Sequence, residues 1–195
     1  MKVFDIEITG STPLLMHRMT EDTLFQLLGS KTERRKDKEV LKPREIAEKH
    51  AYQNKDGSLY IPSEYISGAF AHVAGDYKQK NSARKSIKSV ARGIFRPQQE
   101  AIPLLCEKDK PLTTFEVDIR KATNHQKGAV AVCRPRMDRW KAKFQVQIDN
   151  SIISEETALQ ILEDAGRRSG IGSFRVSRGG YFGQFQVTSF QPAVH

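Results

Sequence analysis

The chain has 195 residues, is 38% apolar and 28% charged, and carries a formal net charge of +9 with an isoelectric point near 9.6. This suits one hydrophobic core with long polar excursions, favours a polyanionic partner (nucleic acid first, an anionic membrane surface second), and leaves no apolar run able to cross a bilayer. Two cysteines without metal-ligand or redox spacing, Cys106 and Cys133, and no signal pattern at the start point to a reduced, cytoplasmic protein.

Lys2 to Thr9 alternates Val3, Phe4, Ile6 and Ile8 with polar residues and predicts a strand. Gly10 to Pro13 breaks it, and Leu14, Leu15 and Met16 lead to His17 and Arg18. Thr20 to Leu28 fits a short helix capped by Thr20, with Glu21 and Asp22 in its first turn and Gly29 as its stop. Ser30 to Lys42 is a mixed-charge run expected to be a loop. Pro43 to Tyr52 fits a helix with Pro43 in its first turn, and a turn from Asn54 to Gly57 precedes a short strand, Ser58 to Ile61. Pro62 to Tyr77 is the clearest helix, capped by Ser63, with Tyr65, Ile66, Ala69, Phe70 and Val73 along one face and small residues at Gly68 and Ala69. Ala83 to Phe95 predicts a second helix ending near Arg96-Pro97.

Short strands follow at Ile102 to Leu105 and Thr113 to Arg120. Ala129 to Cys133 and Lys141 to Ile148 read as strands around a basic bend, Arg134 to Trp140. Ser154 to Ala165 predicts a strong helix with Ser154 as its cap and Gly166 as its stop. Gly166 to Gly183 is a connection with six glycines and four arginines and no acid, before a last strand at Tyr181 to Phe190. Without the insertions, the order is strand, helix, strand, strand, helix, strand. That predicts an α+β, ferredoxin-like or RRM-like βαββαβ sheet with two helices on one face and an open face able to accept a single strand. The chain reads as a single domain, 1–195, with insertions at about 30–57 and 78–100.

Charge is unevenly spread. Tyr77 to Gln99 holds Lys78, Lys80, Arg84, Lys85, Lys88, Arg92 and Arg96 with no acid. Ile119 to Phe144 holds eight cations against Asp138 alone, and the glycine-rich stretch adds Arg167, Arg168, Arg175 and Arg178, leaving the rest of the chain net acidic. Such separation of sign argues for a polyanion more strongly than the total does. Lys85, Lys88 and Arg92 fall at helical spacing and define either a nucleic-acid groove or a solvated face. The glycine-rich connection either holds phosphates through Arg167, Arg168, Arg175, Arg178 and the backbone around Gly170, Gly172, Ser173 and Gly179, or is a flexible charged loop. His72, near Phe70 and Val73, reads as structural.

Two motifs, Ile61 to His72 (IPSEYISGAFAH) and Gly170 to Phe182 (GIGSFRVSRGGYF), together with Thr12 to Arg18 (TPLLMHR), resemble the RAMP superfamily of CRISPR proteins, and within it the backbone subunit that polymerises along guide RNA. The resemblance covers the ferredoxin-like frame, about two thirds of the chain, and not the insertions. It implies a non-catalytic subunit that binds single-stranded RNA, and target DNA or RNA, in repeated copies beside other effector subunits, without a cofactor or a metal. It also implies a thumb hairpin at about 120–143, where Arg134, Arg136, Arg139 and Trp140 stack and clamp, with Trp140 as a plain core residue the competing reading. RAMP nucleases that process guide RNA use a histidine, which makes a metal-independent endoribonuclease with His17 an alternative; a phosphate contact by His17-Arg18 is the simpler reading. A RAMP-fold protein that coats single-stranded DNA is the third.

Overall fold

The computed structural model describes residues 1–20, 23–25, 28, 42–123 and 129–193. Along them run β1 (Lys2–Gly10), β2 (Leu14–Leu15), α1 (Pro43–Lys49), β3 (Tyr60–Pro62), α2 (Ser63–Val73), α3 (Ala91–Ile94), β4 (Phe95–Pro97), β5 (Ala101–Leu105), β6 (Glu116–Thr123), β7 (Ala129–Met137), β8 (Lys141–Ile148), α4 (Glu155–Asp164) and β9 (Phe185–Pro192). The protein is mixed α+β with antiparallel sheets and few helices.

Alternation of side chains decides the central pair. In β1, Phe4, Ile6 and Ile8 are buried, and in β8, Ala142, Phe144, Val146 and Ile148 are buried. The strands pair antiparallel from Lys2 with Ile148 to Thr9 with Lys141, so all these residues share one face. The main sheet has the order β3-β5-β8-β1-β9, with β4 also on β8, and a smaller sheet has the order β2-β7-β6. α2 turns Ile66, Ala69, Phe70 and Val73 into the core, and α4 turns Ala158, Ile161 and Leu162. Phe70 stacks on Phe95 of β4 with 4.0 Å between ring centroids. Fully burying one such side chain is worth about 1.5–3 kcal/mol. The hydroxyl of Ser154 accepts the Thr157 N–H at 3.1 Å and caps α4. No helix among the described residues is long and apolar enough to cross a membrane.

The other face of the central pair is polar. Asp5, Glu7 and Thr9 lie across from Gln145, Lys143 and Lys141. Asp109, on the turn after β5, joins Glu7 in holding both lysines, at 2.9 Å to Lys141 and 2.8 Å to Lys143. This face of β1 and β8 thus presents ion pairs already made and no aromatic ring, unlike the open face for a nucleic-acid strand that the element order predicts.

Several local expectations are corrected. Ala83 to Phe95 is not a helix; only Ala91–Ile94 is helical, because the serines capture the backbone. The Ser82 hydroxyl accepts the Lys85 N–H, the Ser86 hydroxyl accepts the Lys88 N–H, and Ser86 also donates to the Gly75 carbonyl at 2.9 Å. Ser63 is the first residue of α2, whose cap is Pro62 and has no side-chain bond. The basic bend is mostly strand: β7 runs on to Met137, pairing with β6 and β2, and only Asp138 to Trp140 turns the chain. The hairpin is therefore β6–β7, not a pairing with β8, and its tip, 124–128, lies outside the described residues. Gly166 does not stop α4, which continues as a π-helical turn over Ala165–Ser169; Gly166 instead lets the Phe185 carbonyl approach where a β-carbon would collide. Thr23–Phe25 are helical, and the rest of that expected helix, Thr20 and Leu28 apart, lies outside the described residues, as does the mixed-charge run but for Lys42.

Candidate functional site

The small residues on α2 leave a gap beside it. A groove of about 690 Å³ runs between Glu64, Tyr65, Gly68 and His72 of α2, Lys88 of the serine-turned segment, Arg92 of α3, and Ser169 to Gly172 with Arg175 of the glycine-rich connection. Three stretches distant in sequence therefore supply its walls, and Glu64 is the one acid on them among the described residues. His72, read from the sequence as structural, is exposed here.

The glycine-rich connection is tied into the fold by backbone hydrogen bonds and close packing. Gly183 N–H donates to the Pro13 carbonyl at 2.8 Å, Ile171 N–H to Gly183 at 2.9 Å, and Ser173 N–H to Leu15 at 2.8 Å. Gly172 has a φ of +79°, and a β-carbon on it would stand 2.5 Å from the Leu15 carbonyl oxygen. Glycine at that position is a requirement of packing and dihedral together. Ile171 and Ser173 thus spend their N–H groups inside the protein, which removes them as phosphate donors.

Arg175 supplies the charge. Its Nε donates to the Ser177 hydroxyl at 3.0 Å and its Nη1 to the Gly172 carbonyl at 3.1 Å. Neutral acceptors orient it, and no carboxylate among the described residues neutralises it. Lys88 lies with its stem against Gly75, and neither it nor Arg92 has an acid within ion-pair distance among the described residues. The same holds for Lys78, Arg84 and Lys85, which are exposed outside the groove, and for Arg178, exposed on the turn beyond Arg175.

The remaining candidates are spoken for. Arg167 and Arg168 both bind Asp164, and Arg168 also binds Asp76. Burial works against the charge on Asp164, but hydrogen bonds from Tyr77, Arg168 and Arg167 outweigh it and hold its carboxyl below the usual range. Arg136 pairs with Asp138 and Arg139 with Glu107. Trp140 is 1% exposed, and its Nε1 donates to the Thr12 carbonyl at 2.9 Å. It is a core residue with no face to offer a base, which corrects the stacking role. Arg134 is 6% exposed, with its guanidinium 4.6 Å from the Phe174 ring. Gly179 lies on the exposed turn, with open space around it.

His17 is poorly set for proton transfer. Its Nδ1 accepts the Arg134 Nε–H at 2.9 Å, so the ring proton sits on Nε2, which can only donate. Desolvation of its inner side, then the nearby His50 ring and Arg134, push its conjugate acid down to about 4; the outer side is exposed. At neutral pH it is neither an acid nor a base with a free lone pair. Arg18 is zipped to His50 through both backbone groups, with its own side chain exposed. Among the described residues no group of three or more His, Cys, Asp or Glu side chains could hold a metal ion.

Sequence reasoning weighs the arginines of the glycine-rich stretch and passes over its aromatics. Phe174 and Tyr181 are both exposed. Their position among glycines and arginines is the signal that could have marked them. Compared with known proteins, the chain matches no family model and no curated protein.

Proposed function

We propose that this chain binds single-stranded RNA as a RAMP-type backbone subunit, lying along guide RNA in repeated copies and assembling with other subunits of an effector complex. The observation that carries the reading is the groove lined by Lys88, Arg92 and Arg175, none of which pairs with Glu64, the one acid on its walls among the described residues. Phosphates are the ligands such a row of donors fits, and contacts to phosphate position a strand without reading its sequence. The ferredoxin-like reading of the frame draws support from the main sheet, where β9, β1, β8 and β5 are successive antiparallel neighbours. In a βαββαβ arrangement the last, first, third and second strands stand in that order. The resemblance of Ile61 to His72 and Gly170 to Phe182 to the RAMP motifs fits the groove, since both stretches contribute to its walls.

The test is to purify the protein with its bound nucleic acid and digest that with ribonuclease or deoxyribonuclease. Ribonuclease sensitivity is expected; deoxyribonuclease sensitivity would turn the reading to single-stranded DNA. Lys88→Ala, Arg92→Ala and Arg175→Ala should each weaken oligouridine binding and flatten its dependence on salt, by about 0.7 in log–log slope for each phosphate no longer neutralised. Unaltered affinity and slope in all three would refute the groove as the binding site.

A further inference from the structure

We propose that Phe174 and Tyr181 form an aromatic step on which bases of the bound single strand stack, just beyond the Arg175 end of the groove. The inference rests on the nucleic-acid reading above and adds how bases, in addition to phosphates, are held. Large aromatic side chains normally contribute to the core. Tyr181 is instead 63% exposed and Phe174 36% exposed, and neither joins the hydrophobic cluster that fills the protein.

Phe174 is also held in a conformation that side chains avoid, with a φ of +50°. Its neighbours fix it there. Ser173 N–H donates to Leu15, Phe182 N–H donates to the Phe174 carbonyl at 3.2 Å, and Gly180 packs directly on that carbonyl. The Arg134 guanidinium covers one face of the ring, so its exposure lies on the other. Tyr181 is propped in a related way: its ring meets Phe182 edge-on at 5.8 Å, and Phe182 lies under Arg120 at 4.6 Å. Arg134 of β7 and Arg120 of β6 thus brace the two aromatics from the small sheet. A ring immobilised before its ligand arrives loses little freedom on binding.

The choice of occupant follows from charge. Arg175 and Arg178 lie between the two rings in sequence, and Gly166 to Gly183 contains no acid. Exposed rings among unneutralised cations suit a strand whose every unit carries a phosphate and a flat base, and stacking tolerates any base.

The experiment is fluorescence anisotropy on the full chain with two labelled probes of about 16 nucleotides, within the span of known single-strand sites. One is oligouridine and the other an abasic sugar–phosphate oligomer. Phe174→Ala and Tyr181→Ala should each weaken oligouridine binding by about 5- to 150-fold, with binding of the abasic oligomer and the salt slope unchanged. Phe174→Tyr should retain affinity. Phe174→Leu, which keeps the apolar bulk without a ring, replaces the alanine variant if thermal unfolding shows that variant to be misfolded. Equal losses on both probes, or no loss on either, overturn the stacking step while leaving the phosphate groove standing. A wild-type chain that binds neither probe overturns the groove and the step together.

Discussion

Gly68 offers a way to separate the groove from the fold. It lies in the interior of α2 on the groove side, and a methyl group added to its α-carbon meets nothing within 4 Å. Glycine inside a helix is less favourable than alanine by about 0.8–1 kcal/mol. Gly68→Ala is therefore expected to stabilise the protein by about that amount, raising the unfolding midpoint by about 2–4 °C for a chain of this size. Gly68→Trp keeps the helix but sets an indole with about 150–250 Å² of surface across the groove. Its fold should survive, and its affinity for oligouridine should fall at least about tenfold, or about 1.4 kcal/mol. Far-UV circular dichroism on heating gives the first quantity and anisotropy the second, with Gly68→Ala as the control for both. A lower midpoint in Gly68→Ala would refute the open setting assigned to this position. Unchanged binding by a well-folded Gly68→Trp would refute the groove as the path of the strand.

Two glycines with similar dihedrals should respond differently to alanine. Gly172→Ala combines a φ of +79° with a collision against Leu15, while Gly179→Ala combines a φ of +74° with open space. The second should cost about 1–2 kcal/mol and the first clearly more in urea unfolding; equal losses would contradict the packing described. For His17, the unfolded imidazole takes up a proton near 6.5 while the folded one resists until about 4. The unfolded state therefore binds more protons in that window, and stability should fall as pH drops from about 6.5 to about 4. His17→Asn keeps an acceptor for Arg134 and should remove that part of the pH dependence; an unchanged profile would refute the assignment.

The frame is legible where periodicity meets burial. β1 and β8 alternate cleanly, and α2 and α4 carry apolar faces at helical spacing, so those elements follow from the sequence to within a few residues. Ala83 to Phe95 misleads because the spacing of Lys85, Lys88 and Arg92 looks helical, whereas Ser82 and Ser86 bond the local backbone and win. Trp140 cannot be resolved from sequence, since the space it fills exists only because Gly10 has no side chain there. The groove is a long-range fact of the same kind. Lys88 and Arg175 are both visible as cations, but which cations meet an acid depends on Asp164, whose pairs with Arg167 and Arg168 have the local i,i+3 and i,i+4 spacing, and on Asp76 and Glu107, whose pairs with Arg168 and Arg139 have no local signature. The brace of Arg134 beneath Phe174 is equally invisible, because it joins a strand to a loop far along the chain.

The antiparallel pairing of β1 has a consequence for how the protein is made. Phe4, Ile6 and Ile8 leave the ribosome well before the segments they pair with, Lys141–Ile148 and Phe185–Pro192. Until those segments are synthesised the strand has both edges unsatisfied and an apolar face uncovered, a state prone to sticking to other chains. The nascent protein must therefore hold its central strand unpaired while everything between β1 and β9 is made. Contacts so far apart in sequence slow folding, and the yield in a cell should depend on what shields β1 meanwhile.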